Sequence, residues 1–222
     1  MIYAIIPAYN EEKTIEEVIK RVKKYAFPIV VDDGSKDNTF NIANKLTTVL
    51  RHEKNRGKGY AIKTGIEYVL KNFKDIDAIV LIDADLQHLP EEIPLLVEKL
   101  KEYDFVQGCR NWKEVPFRHK LANFVWRILF NLFFGIEVKD LGNGFIAMKP
   151  YVAEKIVKEL TGGYIIEAKM LKNCVENNFK VGYQRVNVIY NRKSKIMRGI
   201  RVTLEITFYI IKEGIKYRLK CL

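Results

Sequence analysis

The sequence predicts an α/β fold, with a mainly parallel central sheet flanked by helices in a single domain. Three observations carry this reading. Short apolar runs alternate with segments whose apolar residues recur at helical spacing. The 222 residues suit one domain with a substantial core. A content of 48% hydrophobic and 29% charged residues is that of a globular chain, not of a disordered one.

Ile2 to Ile6 is a short apolar run ended by Pro7, which reads as a buried strand followed by a turn. Asn10 then offers a helix cap, Glu11 and Glu12 suit a helix N-terminus, and Ile15, Val18, Ile19 and Val22 fall on one helical face. A second strand, Ile29 to Val31, breaks at Asp32-Asp33-Gly34-Ser35, after which Asp37 can cap a helix reaching about Leu46. A third strand, Val49 to Arg51, leads through Asn55-Arg56-Gly57-Lys58-Gly59 into a helix from about Tyr60 to Leu70. Ala78 to Ile82 forms a fourth strand. Pro90-Glu91-Glu92 opens the next helix, with Lys99 and Lys101 in its last turn, and Phe105 to Gln107 makes a fifth strand. Past residue 110 the regularity fails: a long helix is expected from about Val115 to Phe134 and a strand from Phe145 to Met148, with mixed elements beyond. We divide the chain into a domain over 1–200 and a basic amphipathic helix over 201–222.

Lys and Arg exceed Asp and Glu by 38 − 27 = 11, so the surface attracts phosphates, nucleic acid or an anionic membrane face, and charge alone does not choose among them. Cys109, Cys174 and Cys221 are odd in number and widely spaced. That argues against a disulfide framework or a thiolate zinc site and favours a reducing, cytosolic compartment. The start reaches Pro7 and two acids too early for a signal peptide. The longest apolar run, Leu121 to Ile136, contains Asn123, Arg127 and Asn131 and is shorter than the ~20 residues a spanning helix needs.

Four motifs sit at strand ends, where parallel α/β sheets place their sites. Asp83-Ala84-Asp85-Leu86-Gln87 brings two carboxylates into one small volume. They repel unless a hard divalent cation joins them, or else they are the acids of a solvated turn. Asp32-Asp33-Gly34-Ser35 can accept from base or ribose donors, or form an Asx turn. Pro7-Ala8-Tyr9-Asn10-Glu11 reads as a turn and cap, or as a site where Tyr9 stacks on a base. Asn55-Arg56-Gly57-Lys58-Gly59 suits an approaching phosphate but is no Walker loop, and no GxGxxG follows the first strand.

In this order the four motifs resemble the family 2 inverting glycosyltransferases of GT-A fold, most closely the branch that includes dolichyl-phosphate mannose synthase and polyprenyl-phosphate glycosyltransferases. The resemblance spans residues 1–150 and continues more loosely to about 200. It implies that Pro7, Tyr9, Asn10, Glu11, Asp33, Lys58 and Ala84 line the nucleotide-sugar site, with Asp83, Asp85 and Gln87 holding Mg²⁺ or Mn²⁺ against the donor diphosphate. Gly108-Cys109-Arg110 is similar to the family's Gly-x-Arg step, and Asp140-Leu141-Gly142-Asn143-Gly144-Phe145 to its Asp-x-x-Ser/Asn-Gly-Phe segment, which makes Asp140 an acceptor-side candidate beside the catalytic Asp83 and Asp85. Arg192-Lys193-Ser194-Lys195 resembles the basic closing segment, although its glycine is missing and its spacing is shorter.

The branch implies transfer of a hexose or N-acetylhexosamine from a GDP- or UDP-sugar to a polyprenyl (dolichyl-type) phosphate. A lipid phosphate is already anionic, so cationic clamps matter more than a general base. Arg110, Arg118, Arg192, Ser194 and Lys195 are the candidates for that clamp. The alternative acceptor, a sugar hydroxyl, needs a base, for which Asp140 and Glu167 are the candidates. A basic nucleic-acid-binding protein is a remoter reading, because the donor-side strand ends are acidic where a phosphate backbone would lie.

Phe117 to Phe134 is an aromatic helix with a basic start, fit for a bilayer interface, a core position or a dimer contact. The tail from Lys193 to Lys220 intersperses Lys and Arg with Ile, Phe and Tyr, consistent with anionic headgroups. We therefore expect a peripheral protein on the cytoplasmic face of a membrane, working alone, as a homodimer or with a membrane partner.

Overall fold

The computed structural model describes residues 1–112, 115, 117–163, 165–189 and 196–220, with backbone alone for 117–119 and 196–201. The elements run β1 (Ile2–Ala8), α1 (Ile15–Val22), β2 (Phe27–Asp32), α2 (Thr39–Asn44), β3 (Thr48–Arg51), α3 (Lys58–Asn72) and β4 (Ala78–Leu81). A 3-10 turn at Pro90–Glu92 then leads into α4 (Ile93–Lys99), β5 (Phe105–Arg110), α5 (Phe117–Phe134), β6 (Ile146–Met148), α6 (Pro150–Ile156), α7 (Ile166–Glu176), β7 (Val181–Val186) and α8 (Ile196–Lys220).

The sheet order is β3-β2-β1-β4-β6-β5-β7. Every neighbouring pair is parallel except those of β6, which runs antiparallel to both β4 and β5. The chain walks outward from β1 to β3, and α3 then carries it back across the sheet to β4, on the other side of β1. This reversal makes the carboxyl ends of β1 and β4 a topological switch point, where a crevice opens between diverging loops.

Successive strand residues face opposite sides, which divides the core in two. Tyr3, Ile5, Ile29, Val31, Ile79 and Leu81 pack under α3 and the later helices, whereas Ala4, Ile6, Val30 and Val80 pack under α1 and α4. In α1, Ile15, Val18, Ile19 and Val22 are all buried, as their spacing requires.

Several expected boundaries move. Asn10 does not cap α1. It adopts φ 57°, its N–H donates to Ser35 Oγ at 2.9 Å, and its Oδ1 accepts the Lys36 N–H at 2.8 Å, so α1 starts only at Ile15. Bonds between loops outcompete the local cap. Pro7 lies within β1, opposite Val31. Lys58 is the first residue of α3, two positions earlier than Tyr60, because Gly57 at φ 100° turns the chain straight into the helix. Ile82 lies outside β4, and Lys101 lies beyond α4. The last helix is continuous across residue 200, running from Ile196 to Lys220.

Candidate active site

Four loops meet at the switch point. Asp33 is buried, and both its oxygens are engaged: Oδ1 with His52 Nδ1 at 2.7 Å and the Arg56 N–H at 2.9 Å, Oδ2 with the Gly57 N–H at 2.8 Å. Asp33 thus shapes the loop before α3 and turns it toward the crevice. Asp32 is equally buried, accepting the Ser35 N–H and lying 3.0 Å from Arg51 Nε. Cross-loop bonds to Ser35 and from the Glu11 N–H to Thr39 Oγ1 at 2.7 Å hold the Tyr9–Glu11 loop in place. Tyr9 stays 40% exposed at the rim, where a flat ring can meet a base.

Asp83 follows β4 and receives Lys58 Nζ at 2.8 Å on Oδ1 and 3.0 Å on Oδ2. The same ammonium lies 3.3 Å from Glu167 Oε1, on α7. Burial alone would raise the Asp83 pKa, but the charge and hydrogen bond of Lys58 overcome it and hold the carboxyl below its ordinary value. Gly144 forms the floor of this cluster: a Cβ there would stand 2.6 Å from Lys58 Nζ and 3.2 Å from Asp83 Oδ2. The glycine of the Asp140–Phe145 segment is thus set beneath Lys58, a placement that, like the Lys58–Glu167 contact 109 residues apart in sequence, no linear reading shows.

Asp85 differs from Asp83 in having no cation within ion-pair distance among the described residues. Its Oδ1 accepts the Gln87 N–H at 3.0 Å across a turn in which Leu86 sits at φ 59°. Burial, and then the negative charge of Asp83, raise its pKa. Burial also raises Glu11, with added repulsion from Asp85 and Asp83, so all three carboxyls share one field. Among the described residues, no three His, Cys, Asp or Glu side chains form a closed metal cage. The donor set is two hard carboxylates on one loop, a chemistry that fits an Mg²⁺ or Mn²⁺ ion able to take its remaining oxygens from water and a diphosphate. Gln87, farther along that loop, is held by its backbone, its N–H on Asp85 and its carbonyl on the Ile189 N–H.

A second centre lies across the crevice. Asp140 is fully buried and grips Arg110 bidentately, with Nε and Nη2 each at 2.7 Å, while the Arg110 N–H, Asn123 Nδ2 and the Gly142 N–H complete its bonding. Arg110 also stacks over Trp112 at 5.3 Å. Arg110 and Asp140, both expected on the acceptor side, are thus brought together, with Asp140 holding Arg110. Asp140 has no oxygen left over to serve as a base.

His88, unassigned by the motifs, lies between the centres. Its ring packs on Phe145 at 5.3 Å, and burial pushes its pKa down to about 4, with the charges of Asp83, Lys58, Arg110 and Asp140 all acting on it. The carboxylate loop is fastened from behind: Glu92 accepts from Asn187, and the Ile189 N–H donates to the Gln87 carbonyl at 2.9 Å. Arg192, Ser194 and Lys195, and the side chain of Arg118, lie outside the described residues.

Residues 3–157 match the family described as Glycosyl transferase family 2. Among curated relatives, a UDP-N-acetylglucosamine–dolichyl-phosphate N-acetylglucosaminyltransferase of Methanococcus voltae is 29% identical over 92% of this chain and 91% of that one. A dolichol-phosphate mannosyltransferase of Pyrococcus furiosus is 34% identical over 76% of this chain and 51% of that one. An uncharacterized protein of Methanocaldococcus jannaschii is 33% identical over 94% of this chain and 97% of that one. Among solved structures, glucosyl-3-phosphoglycerate synthase from Mycobacterium tuberculosis, in complex with Mn²⁺, UDP and phosphoglyceric acid, superposes with a TM-score of 0.77 at 20% identity. It covers 96% of this chain and 78% of that one and shares the fold.

Proposed function

Because the chain belongs to glycosyl transferase family 2, we propose that it is the member that moves a hexose or N-acetylhexosamine from a UDP- or GDP-sugar to a polyprenyl phosphate of dolichyl type. The observation that carries the choice of acceptor is the state of the two candidate bases. Asp140 is consumed by Arg110, and Glu167 is turned toward Lys58. A sugar hydroxyl needs a base to take its proton, whereas a phosphate oxygen is already a nucleophile. The named activities of the Methanococcus and Pyrococcus relatives support the same reading.

In this mechanism Tyr9, with Pro7, Asn10 and Ala84, flanks the base and ribose, and Asp33 holds the adjoining loop in shape. Asp83, Asp85 and Gln87 would hold the Mg²⁺ or Mn²⁺. When bound, the ion supplies positive charge to the departing diphosphate. Lys58 adds a fixed charge beside it. Arg110, oriented by Asp140, binds the acceptor phosphate together with Arg118, Arg192, Ser194 and Lys195. The phosphate oxygen forms its bond to the anomeric carbon from the face opposite the diphosphate, whose C–O bond breaks, so that configuration inverts. Among the described residues no helix is long and apolar enough to cross a membrane. A polyprenyl phosphate lies in a bilayer, so on this reading the protein works at the cytoplasmic face of a membrane.

The test is transfer of radiolabelled sugar from UDP-N-acetylglucosamine, UDP-glucose or GDP-mannose to polyprenyl phosphate in detergent with Mn²⁺. Label should move into the organic phase for one donor and disappear with Asp83→Asn. Label confined to water-soluble glycans would refute the lipid acceptor.

A further inference from the structure

The helices α5 and α8 lie beside each other on the face of the sheet covered by the later elements. Each buries one stripe and leaves the opposite one bare. On α5, Leu121, Phe124, Ile128 and Leu132 are half or more exposed, with Phe124 at 57%. On α8, Leu204, Phe208, Ile215 and Leu219 are likewise exposed, with Phe208 at 69%. Steps of three, four or seven residues, or sums of these, put each set on one side of its helix.

The two stripes form a single surface. Trp126 Nε1 donates to Thr207 Oγ1 at 3.0 Å, and Phe133 packs on Gly214, so contacts advance together along both helices and the pair is parallel. At ~100° per residue, the bare stripe lies about two-fifths of a turn from these contacts on α5 and a little over a quarter of a turn on α8, in opposite rotational senses on the two helices. For parallel neighbours, that turns both stripes to the same side.

The rim of this surface is basic. α5 contains no Asp or Glu, and Lys120 and Arg127 border its stripe. Lys212 and Lys216 stand exposed beside the stripe of α8, Lys216 pairing with Glu213 at 2.8 Å, and Glu205 also lies on this side. A second copy of the chain meeting this face would set like charges against each other, whereas anionic headgroups complement them. Neither helix is apolar enough to cross a bilayer, and a one-sided stripe with a basic rim suits a helix lying in its interface.

We propose that α5 and α8 together are the docking face by which this chain sits on an anionic lipid bilayer. The proposal rests on the lipid-phosphate reading of the site and extends it: Asn123 of α5 donates to Asp140 at 2.8 Å, and Asp140 holds Arg110, so α5 ties the docked face to the acceptor clamp.

The experiment is co-sedimentation of the full chain with vesicles of phosphatidylcholine alone or of phosphatidylcholine and phosphatidylglycerol at 3:1, comparing wild type with the double variant Phe124→Ser, Phe208→Ser. Wild type should bind the anionic vesicles, and the double variant should lose at least about tenfold in partitioning because two large aromatic side chains no longer enter the interface. Its melting temperature should be unchanged, since both rings are exposed. Wild type that stays in solution with both vesicles overturns the proposal, as does equal binding by the double variant. A dimer in analytical ultracentrifugation that the double variant splits would assign the face to a second copy instead. Transfer to detergent-solubilised polyprenyl phosphate separates the two claims: turnover without vesicle binding sinks the docking face alone, and vesicle binding without lipid glycosylation sinks the acceptor alone.

Discussion

Replacing Asp140 with alanine removes a fully buried carboxylate that accepts two side-chain bonds from Arg110 at 2.7 Å and one from Asn123 at 2.8 Å. Breaking a buried ion pair from one side costs about 3–5 kcal/mol, because the remaining charge is left without a partner. The Arg110 side chain is 13% exposed and can turn partly toward water, so the lower end applies, about 3 kcal/mol. For a domain of this size each kcal/mol shifts the melting temperature by roughly 2–4 °C, giving a fall of roughly 6–12 °C. Urea unfolding followed by circular dichroism measures it directly. The paired replacement Asp140→Leu with Arg110→Met should recover most of the loss, since two apolar groups leave no stranded charge. A fall under 2 °C for Asp140→Ala, or no recovery in the pair, would show that Asp140 does not hold Arg110 as described.

Other expectations follow from the same site. Asp85→Asn should raise stability at pH 7 by up to about 1 kcal/mol, by removing repulsion with Asp83, while abolishing Mn²⁺ binding seen by electron paramagnetic resonance; a less stable variant would contradict the crowding. Gly144→Ala should leave the melting temperature within about 3 °C, because the flexible end of Lys58 can retreat, yet reduce kcat/KM about tenfold or more. Asp104, partly buried just before β5, accepts from Tyr151, the Lys180 N–H and Lys149; its partial burial would raise its pKa, but these bonds hold it below the ordinary value. A depressed carboxylate binds fewer protons when folded, so its contribution is full above about pH 4, the unfolded value, and is lost as pH falls through the folded one. Asp104→Asn should therefore flatten the acid limb of the stability profile, and an unchanged limb would refute the assignment.

The donor half was legible because its signals are local. The strands β1 to β5 and the loops at their ends follow from apolar runs a few residues long, and Asp83 and Asp85 converge simply because they leave one buried strand. The rest depends on partners far apart in the chain. Asn10 looks like a cap until Ser35 and Lys36 are brought beside it, and Asp33 looks like an open acceptor until His52, Arg56 and Gly57 fill it. Nothing in Ile146–Met148 says that β6 inserts antiparallel between β4 and β5, since a three-residue apolar strand reads alike in either direction. Arg110 and Asp140 were each singled out, but that one holds the other is a tertiary fact.

Three carboxylates around the site have an Arg or Lys partner: Asp32 has Arg51, Asp83 has Lys58 and Asp140 has Arg110. Asp85 and Glu11 have none within ion-pair distance among the described residues, and both are pushed toward protonation by burial and by neighbouring acids. Lys58 thus supplies one positive charge to a cluster that also contains Asp83, Glu167, Asp85 and Glu11, in a chain whose net charge is +11. A surplus of negative charge held at a topological switch point is unfavourable for folding and hostile to an anionic donor. It becomes useful when a divalent cation arrives with the diphosphate, because the same crowding that raises Asp85 then increases the affinity for the ion. That is why Asp85→Asn is expected to gain stability and lose metal together, and why a variant that gained both, or lost both, would break the link between the geometry of this site and its chemistry.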